Sequence, residues 1–402
     1  MKALARPFVR VLRTPGALGF SLAALIARLP ISMIGLGIVL LVSAQDGAYG
    51  RAGILTASYV ISSAFFTPLG ARYVDRWGQR LVVMIILAVH VPSLVLFVVG
   101  VGDQWPLVAL ILTAALAGAT QPASGSLVRA RWVHSLRGRE GLQTAFAWES
   151  ILDEVIFVTG PPLATILALL VAPAAPLIAA TLLVFAGSLL LVSQRRSEPP
   201  AHPQDTGQPS AIKSPALIVL TFIMIALGSV FGSLEIVTVA AAAAAGQPGA
   251  AGVILALYAF GSLVGGVLFG ARGYGDDRPI RTLVIAAALL ALATLPFPFI
   301  SSIVGLSIIA VFAGFIVAPV LILTNQLVEA VSAPGQLTEA LAWVNTTGLG
   351  VGVAMSAAFA GSLVDASGVS AGYALTASAG LVTALLAFSA RGTLARAANH
   401  RS

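Results

Sequence analysis

Residues 142–164, LQTAFAWESILDEVIFVTGPPLA, read as one membrane-crossing helix that nevertheless carries Glu149, Asp153 and Glu154 in its first half. A charged side chain at the centre of a bilayer costs about 3 kcal/mol or more, so these acids must face protein or water. Such a helix lines a polar pathway or pairs its acids with something positive, and both readings point to transport.

The rest of the chain supplies the membrane setting. Hydrophobic residues make up 58% of its 402 residues and charged residues only 9%, against about 25% charged in soluble domains. With a mean hydropathy of +0.99, the composition specifies a polytopic all-α membrane protein. There is no cysteine, so disulfides are excluded and no redox compartment follows. The opening MKALARPFVRVLRTPGALGF has the basic lead of a signal peptide, but the apolar run that follows is too long for one and reads as a retained first span.

Apolar runs bounded by charge, Pro or Gly give twelve spans: 16–43, 51–70, 81–101, 106–128, 142–165, 173–193, 215–243, 250–270, 280–300, 302–325, 337–362 and 370–390. This division sorts the basic residues. Lys2, Arg6, Arg10, Arg13, Arg72, Arg76, Arg80, Arg129, Arg131, Arg137, Arg139, Arg195, Arg196, Lys213, Arg272, Arg278, Arg281, Arg391, Arg396 and Arg401 all fall on one face, twenty of the 22 Lys and Arg. Only Arg51 lies on the other face, and Arg28 lies within a span. Lys and Arg concentrate on the cytoplasmic side, so both termini are expected there, in the cytoplasmic (plasma) membrane. The net charge of +7 thus follows the membrane and does not indicate nucleic acid.

Residues 195–214, RRSEPPAHPQDTGQPSAIKS, are polar, Pro-rich and without apolar periodicity, as expected of a cytoplasmic linker. They separate an N-terminal six-span unit, 1–194, from a C-terminal one, 215–402. The two halves echo each other. Gly53, Tyr59 and Gly70-Ala71-Arg72 correspond to Gly252, Tyr258 and Gly270-Ala271-Arg272, and Leu142–Trp148 corresponds to Leu337–Trp343. Two matches in register imply duplication. Parallel six-span repeats place a substrate site between them near the midplane.

Twelve spans, a central linker and the turn Ala71-Arg72-Tyr73-Val74-Asp75-Arg76-Trp77-Gly78-Gln79-Arg80 resemble the major facilitator superfamily over essentially the whole chain. The turn is similar to that family's cytoplasmic signature, Gly-x-x-x-Asp-Arg-x-Gly-Arg-Arg, with Ala71 for its first Gly and Gln79 for its penultimate Arg. Gly78 permits a tight turn, Arg76 and Arg80 hold it at the interface, and Asp75 can sit at a helix N-terminus. The resemblance implies that Asp75 latches onto the start of span 11 near Thr338. Two other family signatures are degraded: the efflux-type Arg of span 4 would fall at Ala114, ahead of Gly118, and the Gly-Pro signature of span 5 is only partly matched by Gly160-Pro161-Pro162. The general pattern resembles uncharacterised actinobacterial members of the superfamily.

Depth pairs the buried charges. At about 1.5 Å per residue, Arg28 lies roughly 18 Å into span 1, and Asp153 and Glu154 lie at a similar depth in span 5. Spans 1 and 5 touch in the resembled fold, so Arg28 is expected to pair with Asp153 or Glu154, preferably Asp153. Glu149 or Glu154 is then left to carry a proton. Glu149 and Asp153 share a helix face, and Glu154 points about 100° away. Glu235, in span 7, is a candidate for a cationic substrate or an outer gate, and Trp148, Trp343 and Asn345 are candidate cavity-lining residues.

No phosphate loop is present, and His90, His134, His202 and His400 lack metal-ligand spacing, so neither a cofactor nor a metal is expected, and no enzyme. The expected function is proton-coupled efflux of a small organic compound by alternating access, with protons, the small-molecule substrate and the lipid bilayer as partners and a monomer sufficient. Proton symport or uniport into the cell is the alternative, and a non-transporting sensor comes third.

Overall fold

Backbone polar groups in hydrocarbon have no water to bond, so each apolar run must satisfy them internally as a helix. The computed structural model describes residues 8–47, 49–136, 141–201, 214–271, 279–332 and 340–399. Among these, twelve helices are long and apolar enough to cross a membrane. In order they are Ala17–Gln45, Tyr49–Val74, Gln79–Gly102, Leu107–Ser135, Thr144–Leu170, Ala175–Ser193, Pro215–Ala244, Ala250–Phe269, Pro279–Phe299, Ile303–Val331, Trp343–Ser367 and Val369–Ala397. They form two six-helix bundles.

Two spans are interrupted where chemistry will matter. Span 1 breaks at Leu29-Pro30 into Ala17–Arg28 and Ile31–Asp46, because a proline ring clashes with the preceding turn and lacks a donor. Span 4 breaks around Gln121-Pro122 and resumes as Ser124–Ser135. The sequence reading ended span 4 at residue 128 and put Arg129 and Arg131 in the loop beyond it; both are instead inside the helix. Their charges ended the apolar run prematurely, although their partners let them stay inside. The turn after span 2 is also shorter than expected. Helix continues through Trp77, and the reversal falls on Gly78 at φ 87°, ψ 155°, backbone that a side chain disfavours.

The internal repeat appears in the packing. A β-carbon at Gly118 would strike the carbonyl of Tyr59, and one at Gly314 the carbonyl of Tyr258. Spans 2 and 4 therefore approach each other as spans 8 and 10 do, with the tyrosines in matching places.

The bundles meet at the end remote from the termini. There Gly53 lies against the Ala357 carbonyl, Gly361 against that of Tyr49, and Gly252 against Pro161 and Thr165. One buried cluster mixes Met33, Leu36 and Val42 with Ile236, Val239, Ala251 and Ala357. Toward the termini, by contrast, the cluster around Phe20, Val83, Trp132 and Leu191 draws on the first six spans alone among the described residues. Among the described residues the bundles are thus packed together at the end remote from the termini, and their contact continues inward to Ala64 and Gly350.

Candidate functional site

Arg28 closes the first segment of span 1, one residue before the Leu29-Pro30 break, and is fully buried. Its guanidinium donates through Nη1 to Asp153 Oδ1 at 2.7 Å and through Nη2 to Glu149 Oε2, while Nε donates to the Ala24 carbonyl at 3.1 Å. One planar fork therefore holds two acids four residues apart on the same face of span 5.

Glu149 is the more completely satisfied acid. Besides Arg28, its Oε1 accepts from Ser21 Oγ at 2.7 Å and from Trp132 Nε1 at 2.8 Å. Trp148 Nε1 donates in turn to Ser21 Oγ at 3.0 Å, so this tryptophan supports the network. Glu149 itself has no exposed surface. A carboxylate sealed away from water is tolerable only with such partners.

Asp153 bridges two cations. Its Oδ2 accepts from Arg129 Nη2 at 2.9 Å, and the Arg129 and Asp153 side chains keep 40% and 33% of their surface open. Spans 1, 4 and 5 therefore converge on two arginines and three acids. The third acid, Glu154, is half-buried beside Asp153 and has no hydrogen-bond or ion-pair partner among the described residues. Sequence reasoning found Arg28 and the acids of span 5. It missed Ser21, Trp132 and Arg129, and the only signal for Arg129 was its place immediately after an apolar run.

A second polar cluster ties the base of the first bundle together. Arg131, also fully buried, donates from Nε to Gln79 Oε1 at 2.8 Å and from Nη1 to the Gln194 carbonyl and Ser197 Oγ. Gln79 stands where the cytoplasmic signature has Arg; here it accepts from a neighbouring Arg, which a second guanidinium could not do. Arg80 donates its backbone N–H to Glu198 Oε1 at 2.9 Å, and Arg76 is exposed. The proposed latch between Asp75 and Thr338 lies outside the described residues, since neither the Asp75 side chain nor residues 333–339 are described.

Glu235 makes no hydrogen bond or ion pair with this network among the described residues. It lies across the bundle interface from span 1, where a β-carbon at Gly35 would come within 2.9 Å of its Oε1. In the second bundle, Trp343 and Asn345 lie on a π-helical stretch, Ala342–Gly348, and Asn345 Nδ2 donates to Asn325 Oδ1 at 2.6 Å. At the end remote from the termini a carboxylate crosses between bundles: Asp365, ending span 11, accepts from the backbone N–H groups of Tyr49 and Gly50 at 2.9 and 2.6 Å. Those two residues begin span 2. No group of three or more His, Cys, Asp and Glu is arranged to hold a metal among the described residues.

The family model described as Major Facilitator Superfamily matches residues 20–328. No curated protein matches the sequence. Among solved structures, the chain is similar to the nucleoside transporter NupG, with a TM-score of 0.72 at 14% identity, covering 94% of this chain and 98% of that one. It is also similar to the POT family peptide transporter PepTSo (TM-score 0.69, 13% identity, 97% and 99% covered). A third is the human organic anion transporter MFSD10 (0.63, 15%, 92% and 98%). At these identities the likeness concerns the fold.

Proposed function

Because this chain belongs to the Major Facilitator Superfamily and is a multi-pass membrane transporter rather than an enzyme, we propose that it exports a small organic compound in exchange for protons. Both termini face the cytoplasm of a plasma-membrane protein that works as a monomer. The observation that carries the reading is the surplus of acid over base where spans 1, 4 and 5 meet. Arg28 and Arg129 engage Glu149 and Asp153, and Glu154, beside Asp153, has no partner among the described residues.

An unpaired carboxylate resists being sealed from water on both sides. Protonation of Glu154 removes that cost, so a bound proton permits passage through the sealed intermediate. The return passage, with Glu154 ionised, is made with substrate bound, the substrate presenting a hydrogen-bond donor to the carboxylate so that it is not sealed unmet. Glu149 is held by Arg28, Ser21 and Trp132 and serves as a brace. In this cycle the contacts around Asp365, Gly53 and Gly361 close the external gate, and Glu235 lines that gate. The latch of Asp75 near span 11, with Arg76, Gly78 and Arg80 shaping its turn, closes the cytoplasmic one. Uptake by proton symport or by uniport is the second reading, favoured by Ala114, which is buried where an efflux-type Arg would stand.

The test uses purified protein in liposomes with a pH-sensitive dye inside and a panel of candidate solutes. Substrate-dependent proton flux that disappears in Glu154→Gln is expected, opposite in direction to the substrate for exchange. Substrate movement without protons, unchanged in Glu154→Gln and Asp153→Asn, would show the acids to be structural.

A further inference from the structure

The charged pair of the first bundle has an uncharged counterpart in the second. Asn325 stands 196 residues after Arg129, and Trp343, two residues before Asn345, stands 195 after Trp148. Arg129 reaches from span 4 to Asp153 on span 5, and Asn325 on span 10 is reached by Asn345 on span 11. The same bridge between equivalent helices is thus ionic in one half and built of two carboxamides in the other.

That amide pair is incomplete. A carboxamide offers two N–H donors and one carbonyl acceptor. One bond between two Asn therefore leaves an unused carbonyl on one residue and an unused NH2 on the other, whichever way each amide is turned. Here the unused groups are Asn345 Oδ1 and Asn325 Nδ2, which have no partner among the described residues. Both residues are half-buried, and neither atom is among the buried polar atoms that lack a partner, so both are open to a ligand. The π-helical stretch that carries Asn345 adds a residue to the turn, and such turns are frequent at functional sites. Thr347 on the same stretch touches the other bundle, its Oγ1 lying 3.5 Å from the Ala64 carbonyl of span 2, nearly half a turn round from Asn345.

We propose that Asn325 and Asn345 form the substrate-recognition edge of the carrier, and that the ligand is an uncharged compound presenting an amide-like donor next to an acceptor. An amide, lactam or urea edge bonds to both open groups at once. A carboxylate offers two acceptors and leaves the Asn345 carbonyl unmet, and an amidinium offers only donors and leaves the Asn325 NH2 unmet. Leaving a buried group unmet is what makes hydrogen-bonding sites reject near-isosteres. Charge handling and substrate recognition then reside in different bundles. The inference rests on the carrier reading above, yet it is tested without any gradient.

Four probes decide it: the isosteres benzamide, benzamidine and benzoate, with N,N-dimethylbenzamide as the amide that has no N–H, titrated into the full-length protein in detergent and read by ligand-induced rise in unfolding temperature. Benzamide is expected to bind best. Asn325→Ala and Asn345→Ala are each expected to weaken it about tenfold, the value of one hydrogen bond near 1.4 kcal/mol. Asn345→Asp keeps the size and turns the edge toward donors, so preference moves to benzamidine, which guards against a variant that merely folds poorly. Equal binding of benzamide and its dimethyl analogue, preference of the wild type for either ion, or no binding by any probe overturns the inference. Proton-coupled movement of a charged solute with no amide binding would sink this proposal and leave the carrier reading standing. Asn-dependent amide binding without proton movement would do the reverse.

Discussion

Replacing Asp365 with Ala removes both acceptors that join the last turn of span 11 to the first turn of span 2. Tyr49 and Gly50 lose bonds of 2.9 and 2.6 Å, and the start of span 2 loses the negative charge at its positive end. A side-chain cap on a helix start contributes about 1 kcal/mol and up to 2, and a carboxylate near a helix dipole about 0.3–1. Because Asp365 is exposed, solvent takes over part of the bonding, and a net loss of about 1–2 kcal/mol remains. That shifts the balance between the sealed and open forms of this end roughly 5–30-fold toward opening. The chain contains no cysteine, so a single Ala357→Cys, buried against Gly53 in the sealed form, reports the change alone. Its labelling by a membrane-impermeant maleimide should quicken by that factor in the Asp365→Ala background, with Asp365→Asn in between. Asp103→Ala, a change at the cap of span 3, serves as control. An unchanged labelling rate, or an equal rise in the control, would refute the argument that this contact holds the gate.

Two further outcomes follow from the packing. Glu149→Ala leaves the Trp132 N–H and one arm of Arg28 unmet in a closed interior while Asp153 keeps the other arm, and should cost about 1–3 kcal/mol per unmet donor; a lowered unfolding temperature in detergent checks it, whereas Glu154→Gln should leave that temperature near wild type. Gly118→Val and Gly314→Val each drive a side chain into the carbonyl of Tyr59 or Tyr258, so both should reduce folded yield, measured by gel-filtration monodispersity, to a similar extent.

The twelve spans could be read from composition because hydrocarbon imposes a length and an apolarity that few other constraints mimic. Arg28 and the acids of span 5 were equally legible, since a charge inside such a run has no innocent explanation. Arg129 and Arg131 were not: counting apolar residues places any cation at a run's end in the loop, and only Asp153 and Gln79, distant in sequence, show that the helix continues. Asn325 left no mark at all. A neutral amide barely perturbs hydropathy, and its significance depends on Asn345 reaching it from another helix. The choice between Glu149 and Glu154 likewise needed Ser21 and Trp132, whose side chains satisfy the former and ignore the latter.

The charge network of spans 1, 4 and 5 also bears on biosynthesis. At about 3 kcal/mol for each acid, span 5 is poorly suited to enter the bilayer alone, since it brings Glu149, Asp153 and Glu154 together. Every partner those acids use, Ser21, Arg28, Arg129 and Trp132, lies earlier in the chain and so leaves the ribosome first. The nascent protein therefore has its counter-charges waiting when the acids arrive, and the order of translation becomes the order in which the charges are neutralised.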